Sequence, residues 1–378
     1  MNARSIKGKT TEEIKTVLQQ SMEDGYRPTL AIVFLTNVED IEAVSAALDT
    51  AGMTIFGAST FQKFNEQEID PEGIMILLLD INPDHFKVVL KDFRSSSVYD
   101  AACQLGEVGA AEFKNPAFII TTADYNIPGE QIINGILNMA GTEVTVMGGM
   151  GGEINNFTGT IFTDHQKSNS GILSLILDEE KIDVKGIAVS GWKPVGTVKK
   201  ITKSEGPWVY TIDNEPAMNV LKKFLGKEIE ITDNAEGIVP ISDSFPLQIQ
   251  LPSGNAVMRP TLLWNKKDQS VMLGGAISEG SLFRFSLPPD FDVIDSVIET
   301  TRTIKETIMP EADALIVFSC VGRLLSLGPM VPLELDGLAA TWNKPMIGFF
   351  SLGEFGKLDG GRPEFHGTTV SWVALKEK

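Results

Sequence analysis

The sequence predicts a mixed α/β protein: β-α-β units with glycine-rich strand ends, combined with antiparallel hairpins in mixed sheets layered with helices outside. Two observations lead there. An apolar strand, a helix with 3.6-residue periodicity, a second apolar strand and a glycine follow one another three times along the chain. Between the second and third occurrence, short alternating runs separated by turn residues read as hairpins.

In chain order, Thr10 and Glu13 form a capping box ahead of Ile14, Val17, Leu18 and Met22 on one helical face, ending near Gly25. The first unit has a strand at 30–34, a helix carrying Ile41, Val44, Ala47 and Leu48, and a strand at 53–56 stopping at Gly57, Ala58, Ser59 and Thr60. The second has strands at 117–121 and 144–147 around a helix at 132–139, and closes on the glycine-rich 148–152. Antiparallel strands are expected at 158–162, 171–177 and 187–190. A turn at 191–196, two strands, a helix at 216–225 and a polar stretch at 226–237 follow, which puts a domain boundary near 225–235. Five short strands between 247 and 285 and a long helix at 291–309 precede the third unit, with strands at 314–318 and 346–347, a helix at 333–340, and Gly348.

Composition narrows the function. Fifty acidic against 32 basic side chains leave a net charge of -18, which repels nucleic acid and anionic membranes. No membrane partner is expected, because the longest apolar run, 74–79, is too short to cross a bilayer; nor does residues 1–9 resemble a signal peptide, so a cytoplasmic location is expected. Cys103 and Cys320 are read as reduced thiols, and His85, His165 and His366 share no metal spacing, so neither metal nor cofactor is expected.

Enzymatic signatures fail one by one. Gly8-Lys9-Thr10 lacks the leading glycine of a phosphate loop, since residue 3 is Ala. Gly149 and Gly151 begin a dinucleotide fingerprint that breaks at Ile154. Residues 276–280 approach a nucleophile elbow only loosely. A glycine beyond a strand end is more often a turn device than a place where a backbone meets a ligand, and three in register add weight to the second role.

The stretches 318–323 and 348–354, with His366-Gly367-Thr368-Thr369, Val257-Met258-Arg259-Pro260 and 277–280, resemble the carboxyl half of the FIST family, the F-box and intracellular signal transduction proteins. Residues 28–34, 55–60, 148–152, 195–196 and 215–217 are similar to its amino-terminal domain. The resemblance implies a FIST N-like domain over 1–228 and a FIST C-like domain over 229–378. It further implies a sensory protein for small ligands, amino acids or related carboxylates, that signals through a separate partner, as no stretch remains for a fused output. Ala58 stands where the family turn carries Cys.

For such a ligand, Arg323 and Arg259 would take the carboxylate through their planar forks and Glu354 the ammonium. Backbone amides at Gly57, Gly148, Gly149 and Gly151 would add donors, with hydrogen bonds from Ser59, Thr60 and Ser319. Cys320 and His366 complete the candidate ligand site; no catalytic residue is assigned. The competing readings are a structural ion pair joining Arg323 to Glu354, a paired Arg259, a buried inert Cys320, and an enzyme of unknown reaction using Cys320 or His366. Trp192 and Trp342 belong either to the pocket or to the core.

Overall fold

Each of the three recurring units folds as a parallel strand pair with a helical crossover, because both strands are continuous apolar runs that must be buried on both faces. A computed structural model describes residues 1–124, 127–152, 158–225, 238–240, 245–252, 254–287 and 289–378. The parallel pairs are Leu30–Leu35 with Thr54–Ser59, Pro116–Thr122 with Val146–Met150, and Ala314–Cys320 with Met346–Ser351. Their crossover helices are Ile41–Thr50, Gly129–Ala140 and Val331–Trp342, the last preceded by the short helix Val321–Leu327.

Every pair sits in its own six-stranded mixed sheet, and the three sheets repeat one plan. An antiparallel strand lies beside the first strand of each pair: Ile74–Asp80, Gly171–Asp178 and Val370–Glu377. Beyond it comes an outer strand: Asn2–Gly8, Phe86–Asp92 and Ile182–Val189. The other edge is completed by a hairpin that each unit lends to another unit. The hairpin after the first pair, Lys63–Asn65 with Ile69–Asp70, joins the third sheet. The one after the second pair, Ile161–Phe162 with Lys167–Ser168, joins the first sheet. The one after the third pair, Glu354–Lys357 with Pro363–His366, joins the second sheet. The exchange runs around the three units in one direction, so no sheet can form alone.

The inner faces of all three sheets meet in a single core that includes Phe34, Phe56, Met147, Ile161, Phe318 and Phe349, all fully buried. Phe349 packs edge-on against both Phe34 and Phe318. The outer faces carry three further cores, each closed by helices: Thr11–Ser21 and Ile41–Thr50 on the first, Val98–Glu112 and Gly129–Ala140 on the second, Phe291–Thr307 and Val331–Trp342 on the third. Helices therefore lie outside, as expected. The first is capped as the sequence requires, with Thr10 Oγ1 accepting from Glu13 N, while the Glu13 carboxylate reaches back to Lys9 N.

The hairpin-rich middle of the chain is an insertion in the third unit, between Ile182–Val189 and Phe291–Thr307. Residues 194–286 supply a nine-stranded antiparallel sheet with its own core around Ile201, Trp264 and Phe283. The amphipathic helix Ala217–Leu225 buries Met218 and Leu221 against it. Most of the stretch expected to hold the domain boundary, 226–237, lies outside the described residues, as do 153–157. Arg259, at the end of Ala256–Arg259, fastens this sheet to the second unit. It donates to Glu130 Oε1 at 2.8 Å and to the Phe365 carbonyl at 2.8 Å, with its guanidinium over the Phe365 ring.

Candidate functional site at the strand ends

Register makes the three units comparable residue by residue. Gly57, Gly148 and Gly348 sit opposite Val33, Ile120 and Val317 on the neighbouring parallel strands. Phe162, Phe355 and Phe64 of the exchanged hairpins lie across from those glycines. The residue before each phenylalanine, Ile161, Glu354 or Lys63, therefore points to the opposite face. Two of these three positions hold buried ionisable groups.

Glu354 has no exposure and is held from three sides. Ser351 Oγ donates to Oε1 at 2.6 Å, Thr369 Oγ1 to Oε2 at 2.9 Å, and the Thr369 amide to Oε2 at 3.3 Å. The Cys320 thiol also hydrogen-bonds the carboxyl group. Burial outweighs these bonds and pushes the carboxyl up to about 8, so Glu354 is a neutral acid at pH 7. His366 faces it across the hairpin. Its Nε2 lies 3.1 Å from the Gly356 carbonyl, and Nδ1 is buried with no partner among the described residues. Burial, helped by the positive charge of Arg259, pushes the ring down to about 3.

Lys63 is the counterpart of Glu354 and is likewise fully buried. Its Nζ donates to Thr36 Oγ1 at 2.5 Å, and burial lowers it to about 8 against the raising pull of Asp70 and Glu72. Around these groups the strand ends converge. Thr60 bridges to Gly152, and a side chain built on Gly151 would meet Ser59 O at 3.3 Å and Thr121 Oγ1 at 3.5 Å. Thr60 Oγ1 and Thr121 Oγ1 are buried without partners among the described residues, whereas Ser59 Oγ accepts from Thr160 N at 2.8 Å.

The residues singled out in the sequence thus fall into separate sets. Cys320, Glu354 and His366 come together, and Ser59, Thr60, Gly149 and Gly151 lie at the same strand ends. Gly57 and Gly148 sit lower in the sheets, against the Phe162 ring and the Ile120 carbonyl. Ser319 Oγ is buried without a partner among the described residues, on a strand position next to outward-facing Phe350 and Val370.

Arg323 is on that outer side and its partner is Glu334, not Glu354. The guanidinium takes both Glu334 oxygens, donates to the Ser190 carbonyl at 2.5 Å, and stacks over Trp192. Glu334, from the helix after Arg323, is the residue that sequence reasoning missed; its signal is a spacing of three from Val331 and four from Leu338, which puts it on the buried helix face where Asp336 is not. Arg323→Met is expected to cost about 3–5 kcal/mol in urea unfolding by stranding the Glu334 charge, and adding Glu334→Leu should restore most of it. Equal instability of the double variant would refute the pairing argument.

The FIST N domain profile matches residues 29–215 and the FIST C domain profile residues 217–357. The first spans the opening two units and the start of the insertion, the second the rest of the insertion and most of the third unit. No curated protein matches the chain. Among solved structures, a crystal structure of chorismatase aligns over 99% of this chain and 98% of its own, with a TM-score of 0.35 and 8% identity, a likeness too low to carry an argument. Among the described residues, no helix is long and apolar enough to cross a membrane, and no group of three or more acidic, histidine or cysteine side chains is placed to hold a metal. With most of its length matched by two consecutive domain profiles in their own order, the chain belongs to the FIST family.

Proposed function

We propose that this protein is a sensory receptor for a small polar ligand, an amino acid or related carboxylate, bound where the strand ends converge and signalled through a separate partner. The observation that supports it most is Glu354: a fully buried acid kept neutral, ringed by Ser351, Thr369 and Cys320, at strand ends that also carry the Thr60 and Thr121 hydroxyls, which have no partner among the described residues. Buried polar groups left incompletely paired cost stability and persist where something else uses them. FIST domains are sensory domains of signal transduction, which agrees with binding rather than turnover. Catalysis has less support, because a histidine held down near 3 is a poor base at neutral pH and a protonated acid cannot activate the Cys320 thiol.

The test is a thermal-shift screen of the purified chain against amino acids, small carboxylates, nucleotides and neutral amides, repeated with Glu354→Met. A ligand at a hundred times its Kd stabilises the folded state by about 2.7 kcal/mol. A hit that disappears in the variant, with circular dichroism unchanged, supports the site. A panel with no hit in the wild type, or hits indifferent to Glu354, defeats it.

A further inference from the structure

Among the described residues, three cationic side chains are buried: Arg259, Arg323 and Lys63. The first two are already engaged. Arg323 holds Glu334 and the Ser190 carbonyl; Arg259 holds Glu130 and the carbonyls of Phe365 and Met258. Lys63 has one neutral partner, the Thr36 hydroxyl, and forms no ion pair among the described residues. The nearest acids act only from a distance, and Asp70 Oδ1 is taken up by the amides of Glu72 and Gly73. An ammonium has three donors, so two remain on Nζ. Burying such a charge without a counter-ion is costly, and proteins retain that arrangement where an anion completes it.

The repeat adds an independent argument. Lys63 and Glu354 are topological equivalents, and so are their flanking residues: Thr60 matches Ser351, and Thr36 matches Cys320. Ser351 serves Glu354 by a hydrogen bond, but Thr60 Oγ1, 1% exposed, serves nothing among the described residues. The Lys63 junction thus has a cation with spare donors and, in the position that Ser351 takes beside Glu354, an idle hydroxyl, a pairing complementary to an oxyanion. Asp70 on the same hairpin and Glu72 just after it weigh against a dianion such as phosphate, leaving a singly charged carboxylate as the better fit.

We infer that Lys63, assisted by Thr60, is the cation that receives the carboxylate of the sensed ligand, at the junction of the first and third sheets. This rests on the ligand-sensing reading above. Because Lys63 is closed off from solvent, admission goes with local opening of the chain around it, a motion that needs far less than global unfolding.

The experiment compares wild type, Lys63→Met and Glu354→Met by calorimetric titration with glutamate, succinate, their neutral amides and inorganic phosphate. Lys63→Met replaces an unpaired charge with an apolar chain of similar length, and Thr36 keeps its bond to the Pro71 carbonyl. The expected result is carboxylate affinity about 10- to 100-fold lower in Lys63→Met, with the amides binding wild type no better than that variant binds the acids. A second measurement uses wild type alone: the pH at which the Lys63 ammonium loses its proton, followed by lysine side-chain NMR, should rise when the carboxylate binds beside it. Unchanged affinity in a folded Lys63→Met, amides or phosphate binding as well as carboxylates, or a Lys63 titration unmoved by the ligand overturns the inference. If neutral ligands bind through Glu354 while carboxylates do not, the sensing reading survives and this inference falls; if nothing binds wild type, both fall.

Discussion

Gly57→Ala is expected to destabilise the protein by roughly 3 kcal/mol or more, and Gly348→Ala by at least as much. The cause is the same exchanged-hairpin contact at two points of the repeat. A Cβ on Gly57 would lie 2.3 Å from the ring of Phe162, and one on Gly348 would lie 2.4 Å from the ring of Phe64. Both rings are fully buried in close-packed cores and cannot swing away. The two variants should differ in how they are rescued. At Gly57 the nearest obstruction is the ring, so Gly57→Ala with Phe162→Leu should recover much of the loss. At Gly348 the Val317 carbonyl also stands 2.3 Å away, and no side-chain change at Phe64 relieves a clash with backbone. Urea midpoints of Gly57→Ala, Gly348→Ala, Gly57→Ala with Phe162→Leu and Gly348→Ala with Phe64→Leu check this. Gly57→Ala within about 0.5 kcal/mol of wild type, the range of an ordinary surface change, would sink the argument.

Glu354→Gln should flatten the pH dependence of stability on the alkaline side. The folded carboxyl titrates near 8, against an ordinary value of 4.5. Between these values the folded state holds a proton that the unfolded state has released, so stability falls as pH rises. The contribution of neutral Glu354 is complete below about 4.5 and gone above about 8. A shift of this size corresponds to several kcal/mol, with the deep burial making it an upper bound. The amide cannot ionise, while its oxygen still accepts from Thr369. The variant should therefore match or exceed wild type above pH 8 and lose its advantage near pH 5. Parallel melting curves for the two proteins across pH 5–9 would refute a neutral Glu354.

How far these groups could be read in advance varies with their reach along the chain. The three units were legible because each depends on neighbours in sequence: an apolar strand, a periodic helix and a glycine within a few tens of residues. The boundaries moved by only a few residues, as with Gly129–Ala140 for an expected helix at 132–139 and Val331–Trp342 for 333–340. Local patterning does not identify strands such as Asn2–Gly8, Ile74–Asp80 and Val370–Glu377 or the helix Val98–Glu112. Ile74–Asp80 shows why: its apolar run was visible, but nothing local says it pairs antiparallel to Leu30–Leu35. Lys63 left a trace that only the repeat makes readable, since it follows Gly57 by the same six residues that separate Glu354 from Gly348.

By itself, the sequence determined the family, the mixed α/β class, the three glycine-ended units and the hairpins between the second and third, because periodicity, turn chemistry and motif order are written in local residue types. Tertiary structure alone decided that each hairpin crosses to another unit, that Arg323 answers to Glu334, and that Glu354 and Lys63 occupy equivalent buried positions. The reason is physical. Pairing Lys63 with Phe349, or Glu354 with Gly149, joins residues hundreds of positions apart, and the desolvation that neutralises Glu354 comes from side chains on three separate strands and loops. Burial is a property of the assembled core, and no stretch of chain carries it before the core exists.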